Sequence, residues 1–173
     1  MHPELLLLIG ISFSLGFTPG PNNAVASYSG FNFGIKKTIP LILGVGLGYT
    51  ILVILINFVL ISTFIKYPII QEFIRILGTL FLIYLAYKIS FSNNKSGTSK
   101  INPVKFLDTF LFQFVNPKGV MAGITLISKF VREEDYMSSS LTVIIVCSFT
   151  AFFSITTWTF FGKFLRKFAT NND

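Results

Sequence analysis

The chain has 173 residues, 52% of them apolar and 12% charged, with a formal charge of +7. Soluble domains carry about a quarter charged residues, so this one has too little polar surface to cover a core in water. The charge-free runs Leu5–Ile35, Thr38–Ile65 and Tyr136–Gly162 each exceed the roughly 20 residues that cross a hydrocarbon layer about 30 Å thick, which excludes a soluble fold.

The pattern predicts an all-α integral membrane protein, a helix bundle of about five transmembrane segments. The first segment covers Glu4 to Phe33. No basic stretch precedes its apolar start, and the run continues well past a cleavage point, so it reads as a retained segment rather than a signal peptide. As one helix, Leu5–Ile35 would be about 46 Å long, too long to stand upright in the core. Thr18-Pro19-Gly20-Pro21 interrupts it. Each proline removes a backbone donor and disfavours a helical residue before it, so the helix should stop near Phe17 and restart at Pro21, a good first helical position.

The second segment is Thr38 to Phe64. Its Gly44 and Gly48 form a small-xxx-small pair that invites a neighbouring helix; Asn57 reads equally well as a pathway residue or as an interhelical hydrogen bond. The third segment, Ile69 to Ser90, starts with Glu72 and Arg75. A polar stretch rich in Ser, Asn, Gly and Lys follows, so residues 1–90 form a first three-helix repeat, 91–103 a linker, and 104–173 a second, incomplete repeat.

The fourth segment, Val104 to Phe130, contains FVNPKG at Phe114–Gly119. This second proline break matches the first in placement. The first repeat has an odd number of segments, so the second would enter from the opposite face, which is the logic of an inverted-topology repeat. The fifth segment is Ser139 to Phe164. Tyr49, Tyr84, Tyr87 and Trp158 are substrate-facing or interfacial anchors.

Basic residues fall into two groups between the segments. Lys36, Lys37, Lys88, Lys95, Lys100, Lys105, Lys163, Arg166 and Lys167 face one side; Lys66, Arg75, Lys129 and Arg132 face the other, beside Glu133, Glu134 and Asp135. The positive-inside rule then puts the carboxyl terminus in the cytoplasm and the amino terminus outside. Basic residues without a stripe of interleaved aromatics do not point to nucleic acid. One cysteine, Cys147, allows no internal disulfide or CxxC pair, and the single His2 is terminal. There is no Ser–His, Cys–His, HExxH or paired-carboxylate arrangement, so the expectation is a protein that is not an enzyme and uses no cofactor or metal.

Backbone groups freed at membrane depth cost several kcal/mol unless something satisfies them. A restarted helix presents the positive end of its dipole, which suits a carboxylate. The two breaks should therefore face each other near mid-membrane and bind a small zwitterion. Pro19, Gly20, Pro21, Asn22 and Asn23 lie at the first break, and Asn116, Pro117 and Lys118 at the second. The restarted helices and Lys118 would hold the carboxylate; loose carbonyls and Asn side chains would hold the ammonium. A plain kink at the first break, and a Lys118 that snorkels to an interface, are the competing structural readings.

The stretch GFTPGPNNAVASYSGFNFGIKKTIPLILGVGLG, Gly16 to Gly48, resembles the amino-terminal signature of the LysE/RhtB family of amino-acid exporters. FVNPKGVMAG, Phe114 to Gly123, resembles the family's second signature, and Trp158, Phe161-Gly162 and Lys163–Arg166 fit its next helix. The resemblance spans nearly the whole chain. It implies export of amino acids across the cytoplasmic membrane, with the proton as coupling ion and Asp108 as the plausible intramembrane acid. It leaves the particular amino acid and a homo-oligomer open. Family members end with a further hydrophobic helix that does not appear before Asp173, so the competing expectation is a shortened, non-transporting subunit or partner.

Overall fold

A computed structural model describes residues 4–60, 63, 66–91 and 103–169. Its helices are α1 (Leu5–Phe17), α2 (Pro21–Leu55), α3 (Ile69–Phe91), α4 (Phe106–Phe112), α5 (Pro117–Phe130) and α6 (Tyr136–Ala169). A π turn, Ile56–Leu60, extends α2, and a 3-10 turn, Gln113–Val115, joins α4 to the break before α5. No strand occurs among the described residues. Most of the linker, residues 92–102, lies outside them.

The first break falls where the prolines demand it. α1 ends at Phe17, Gly20 is extended, and Pro21 is the first residue of α2. Thirteen helical residues make α1 about 20 Å long, too short to cross the hydrocarbon layer by itself. The second break repeats the device: Asn116 is extended and Pro117 opens α5. There the chain bends by 58° between the α4 side and α5, and the pair is together long and apolar enough for a broken span or a re-entrant loop.

The gap expected between the first two segments is smaller than the sequence pattern indicates. Helix continues through Lys36 and Lys37, and only Gly34 departs, with φ 73° and ψ 176°, a backbone region essentially restricted to glycine. The chain reverses there. Ser29 and Thr38 share a hydroxyl–hydroxyl hydrogen bond of 2.9 Å, although nine residues of straight helix would part them by about 13 Å. Contacts along α6 show the same reversal. α1 runs parallel to α6, with Phe13 on Phe149 and Gly16 against Thr150 and Ser154. The second limb of α2 runs antiparallel to it: Gly46 meets Phe152, Thr50 bonds Ser148, and Asn57 bonds Ser140.

The five expected segments are therefore α1 with the first limb of α2, the second limb with its π turn, α3, the broken α4–α5 pair, and α6. α4 runs parallel to the second limb of α2, since Gly44 meets Phe106 and Thr109 while Gly48 meets Phe110 and Gln113. α4 is thus opposite in direction to α1. Close approach is the work of small residues. A Cβ on Gly30 would lie 2.1 Å from the Thr159 carbonyl oxygen, and one on Gly162 would lie 1.8 Å from that of Ser27.

Two apolar cores result. Leu8, Leu52, Ile56, Leu126, Phe130 and Val143 belong to the larger, near the start of α6. The smaller comprises Ala26, Leu41, Val45 and Ile155, with Trp158 packed on it. Outward faces remain apolar: Leu6, Val59, Ile83, Ile145 and Phe149 are all exposed, as a lipid-facing surface requires.

Candidate functional site

Between the two cores lies a cavity of about 80 Å³. On this measure one water takes about 10–15 Å³, so the space suits roughly five to eight non-hydrogen atoms. Gly20, Pro21, Asn22, Asn23, Asn116 and Lys118 line it. The two breaks thus meet. They do so beside Thr150 and Ser154, near the middle of the 34-residue α6, and so at mid-depth rather than at an end of the bundle.

The starts of α2 and α5 both point at this space. No side chain caps either start, and proline occupies the first position of each. The first helix-internal bonds run from Ala24 N to Gly20 O and from Val120 N to Asn116 O. The amides of Asn22, Asn23, Lys118 and Gly119 therefore have no partner within their helices, which is the ordinary state of a helix's first turn. Two positive dipole ends and one ammonium converge there, an anion-attracting arrangement.

The carbonyls freed at the end of α1 differ from expectation. They are occupied by the protein. Asn23 Nδ2 donates to Gly16 O and Thr18 O, 3.0 Å each, and Ser154 Oγ donates to Gly16 O at 2.8 Å. Lys118 Nζ donates to Thr18 O, so its ammonium sits at the negative end of α1 instead of at an interface. Among the described residues that line the cavity, Asn116 Oδ1 and the hydroxyls of Ser12 and Thr150 are buried without a hydrogen-bond partner. An Asn side chain, as expected, offers an acceptor; the loose carbonyls do not.

Other expected residues fall elsewhere. Pro19 is exposed and Pro117 faces α3, where a Cβ on Gly78 would come within 2.5 Å of its ring; neither lines the cavity. Both act by breaking the helix. Asp108 lies outside the main cavity. It borders a second one of about 10 Å³, room for one water, which shares Asn22 with the first. Asn57 makes an interhelical bond to Ser140 Oγ at 3.0 Å, and Gly44 and Gly48 serve packing. Tyr49 faces the cavity, whereas Tyr84 and Tyr87 are exposed.

Sequence reasoning missed Gln113 and the α6 wall. Gln113 is fully buried and forms a reciprocal amide pair with Asn22, 2.8 and 3.1 Å, which ties the two breaks together. Its signal was a lone amide three residues before Asn116 in an apolar run. Cys147, Thr150 and Ser154 all line the cavity. Their spacing of three and four residues puts them on one face of a helix, a pattern open to reading in the sequence.

Comparison with known proteins agrees with this architecture. The family described as LysE type translocator matches residues 13–172. The cysteine/O-acetylserine efflux protein of Escherichia coli (strain K12) is 31% identical over 117 residues, covering 68% of this chain and 60% of the relative. Its counterpart in Shigella sonnei (strain Ss046) matches to the same extent. The alignment thus spans about three fifths of the length of these relatives. No solved structure matches. With two proline-broken helices meeting inside an apolar bundle, and a family match over nearly its whole length, the chain belongs to the LysE-type translocators.

Proposed function

We propose that this protein exports small zwitterionic amino acids across the cytoplasmic membrane, which it crosses several times. The observation that carries the reading is the convergence of two uncapped helix starts and the Lys118 ammonium on one mid-bundle cavity. A carboxylate placed there would meet the amides of Asn22, Asn23, Lys118 and Gly119 together with Lys118 Nζ. The ammonium of the same solute would be accepted by Asn116 Oδ1, which has no other partner. The cavity volume fits a solute of few atoms, and the relatives are named for efflux of cysteine and O-acetylserine, both small zwitterions.

The Lys118–Thr18 contact has a role in this reading. Lys118 neutralises the negative end of α1. An incoming carboxylate competes for that ammonium and draws it across the cavity, so loading loosens the hold of one break on the other. Asp108, near Asn22 in the second small cavity, is the group we assign to proton coupling. Lys36, Lys37, Lys105 and Lys163 gather at the Gly34 end of the bundle, which we place in the cytoplasm.

The test is flux. Cells fed dipeptides of small amino acids should tolerate the internal load when they make this protein, and proteoliposomes should show gradient-driven movement of the same amino acids. Failure to protect or to transport across a panel of common amino acids would refute the reading.

A further inference from the structure

The wall of the cavity opposite the α5 start is built from α1 and α6, and it carries polar groups that bind nothing in the protein. Along α6 the hydroxyls of Thr142, Thr157 and Thr159 each donate to the carbonyl four residues back, at 2.9, 2.8 and 2.9 Å. That is how a threonine ordinarily satisfies itself in a helix within lipid. Thr150 does not. It is 3% exposed, its Oγ1 has no partner, and it lines the cavity. One turn away, Ser12 of α1, also 3% exposed, lies beside the Cys147 thiol. Ser154, the other hydroxyl of this wall, is spent on Gly16 O, and Leu15 and Ala151 lie alongside.

Burying a hydroxyl without a partner in an apolar bundle is costly, so a group kept this way implies a partner that arrives with the ligand. The carboxylate and ammonium of an amino acid are accounted for at the breaks. What is left to reach the α1–α6 wall is the side chain. We propose that Thr150, supported by Ser12 and Cys147, is the specificity-determining residue of the exporter, and that it selects amino acids with a short side chain carrying a hydroxyl or thiol. The inference rests on the export reading above and assigns the side-chain end of the same site. Thr150 Oγ1 exchanges a hydrogen bond with the solute's side-chain heteroatom, while Leu15 and Ala151 leave no space for a long chain.

The experiment compares serine with 2-aminobutyrate, which differ by a hydroxyl in place of a methyl group. Both are offered to proteoliposomes of the full chain, and to Thr150→Val, which exchanges the hydroxyl for a methyl at constant shape. One net hydrogen bond corresponds to a preference of about fivefold. The wild type should favour serine by at least that factor, Thr150→Val should move the two solutes at nearly equal rates, and Thr150→Ser should restore the preference. If Thr150→Val keeps the wild-type ratio, the assignment fails while the export reading stands. If the wild type moves neither these solutes nor any other amino acid, both fall. Should Thr150→Val not assemble in the membrane, Ser12→Ala in the neighbouring position must reduce the serine preference, and an unchanged ratio there overturns the proposal equally.

Discussion

Lys118 and Asn23 illustrate how two polar side chains of one site take different work. Lys118 is the formal charge within the cavity lining, and its removal should be felt in transport. Lys118→Met, which keeps the length of the stem, is expected to lower export at least tenfold with little change in the amount of protein in the membrane, measured by flux normalised to immunoblot. Asn23 instead faces back to α1 and occupies two of its terminal carbonyls. Asn23→Ala removes two hydrogen bonds in a buried place, about 0.5–1.5 kcal/mol each, while Ser154 and Lys118 still donate to the two carbonyls. It should therefore appear as a lower melting temperature in detergent rather than as a selective transport defect. Cys147 gives a third measurement, because it is the one thiol in the chain and lines the cavity. A saturating transported amino acid should slow its alkylation by a small thiol reagent several-fold, and an unaltered rate would place the solute elsewhere.

Helix breaks are the elements on which the architecture turns, and each has its own chemistry. The prolines at positions 19, 21 and 117 stop helices through missing donors and clashes, and those stops were legible because the cause is local to the residue. Gly34 reverses the chain through a backbone angle; the sequence placed a connection between Phe33 and Thr38, but not that one glycine would make it while helix runs on through Lys36 and Lys37. A Cβ there would meet nothing within 4 Å, so Gly34→Ala tests the angle alone. The expected cost is about 1–3 kcal/mol, read as reduced thermal stability, whereas a sterically open, helix-compatible position would tolerate alanine. The Gly44 and Gly48 pair was readable as a packing face, but its partner α4 was not, since only the fold tells which helix arrives. The same limit applies to the site. Both breaks and Lys118 could be read from the sequence; the reciprocal Asn22–Gln113 amides and the capping of α1 by Asn23 and Ser154 depend on side-chain directions that spacing does not reveal.

At the scale of the whole molecule, charge is divided between the ends. Around the Gly34 reversal lie Lys36, Lys37, Lys105, Lys163, Arg166 and Lys167, and at the far end Lys129 and Arg132 are matched by Glu133, Glu134 and Asp135. With Cys147→Ser as background, a cysteine placed at Lys37 should be shielded from an impermeant reagent in intact cells and one at Glu134 should react; the reverse pattern would invert the assigned topology. Asp108→Asn should reduce gradient-driven flux at least tenfold while sparing exchange of labelled for unlabelled amino acid, and equal loss of both would remove Asp108 from coupling. The two cores that bracket the cavity are unequal, and this has a mechanical outcome. Among the described residues, Ala26, Leu41, Val45 and Ile155 interlock on the lysine-rich side, while the opposite barrier contains eleven buried side chains, Phe130 among them. Parting the smaller group exposes less apolar area and so demands less free energy. For the exporter proposed above, the thinner door should be the one that swings first, leaving the resting protein poised to take cargo from the compartment where that door stands.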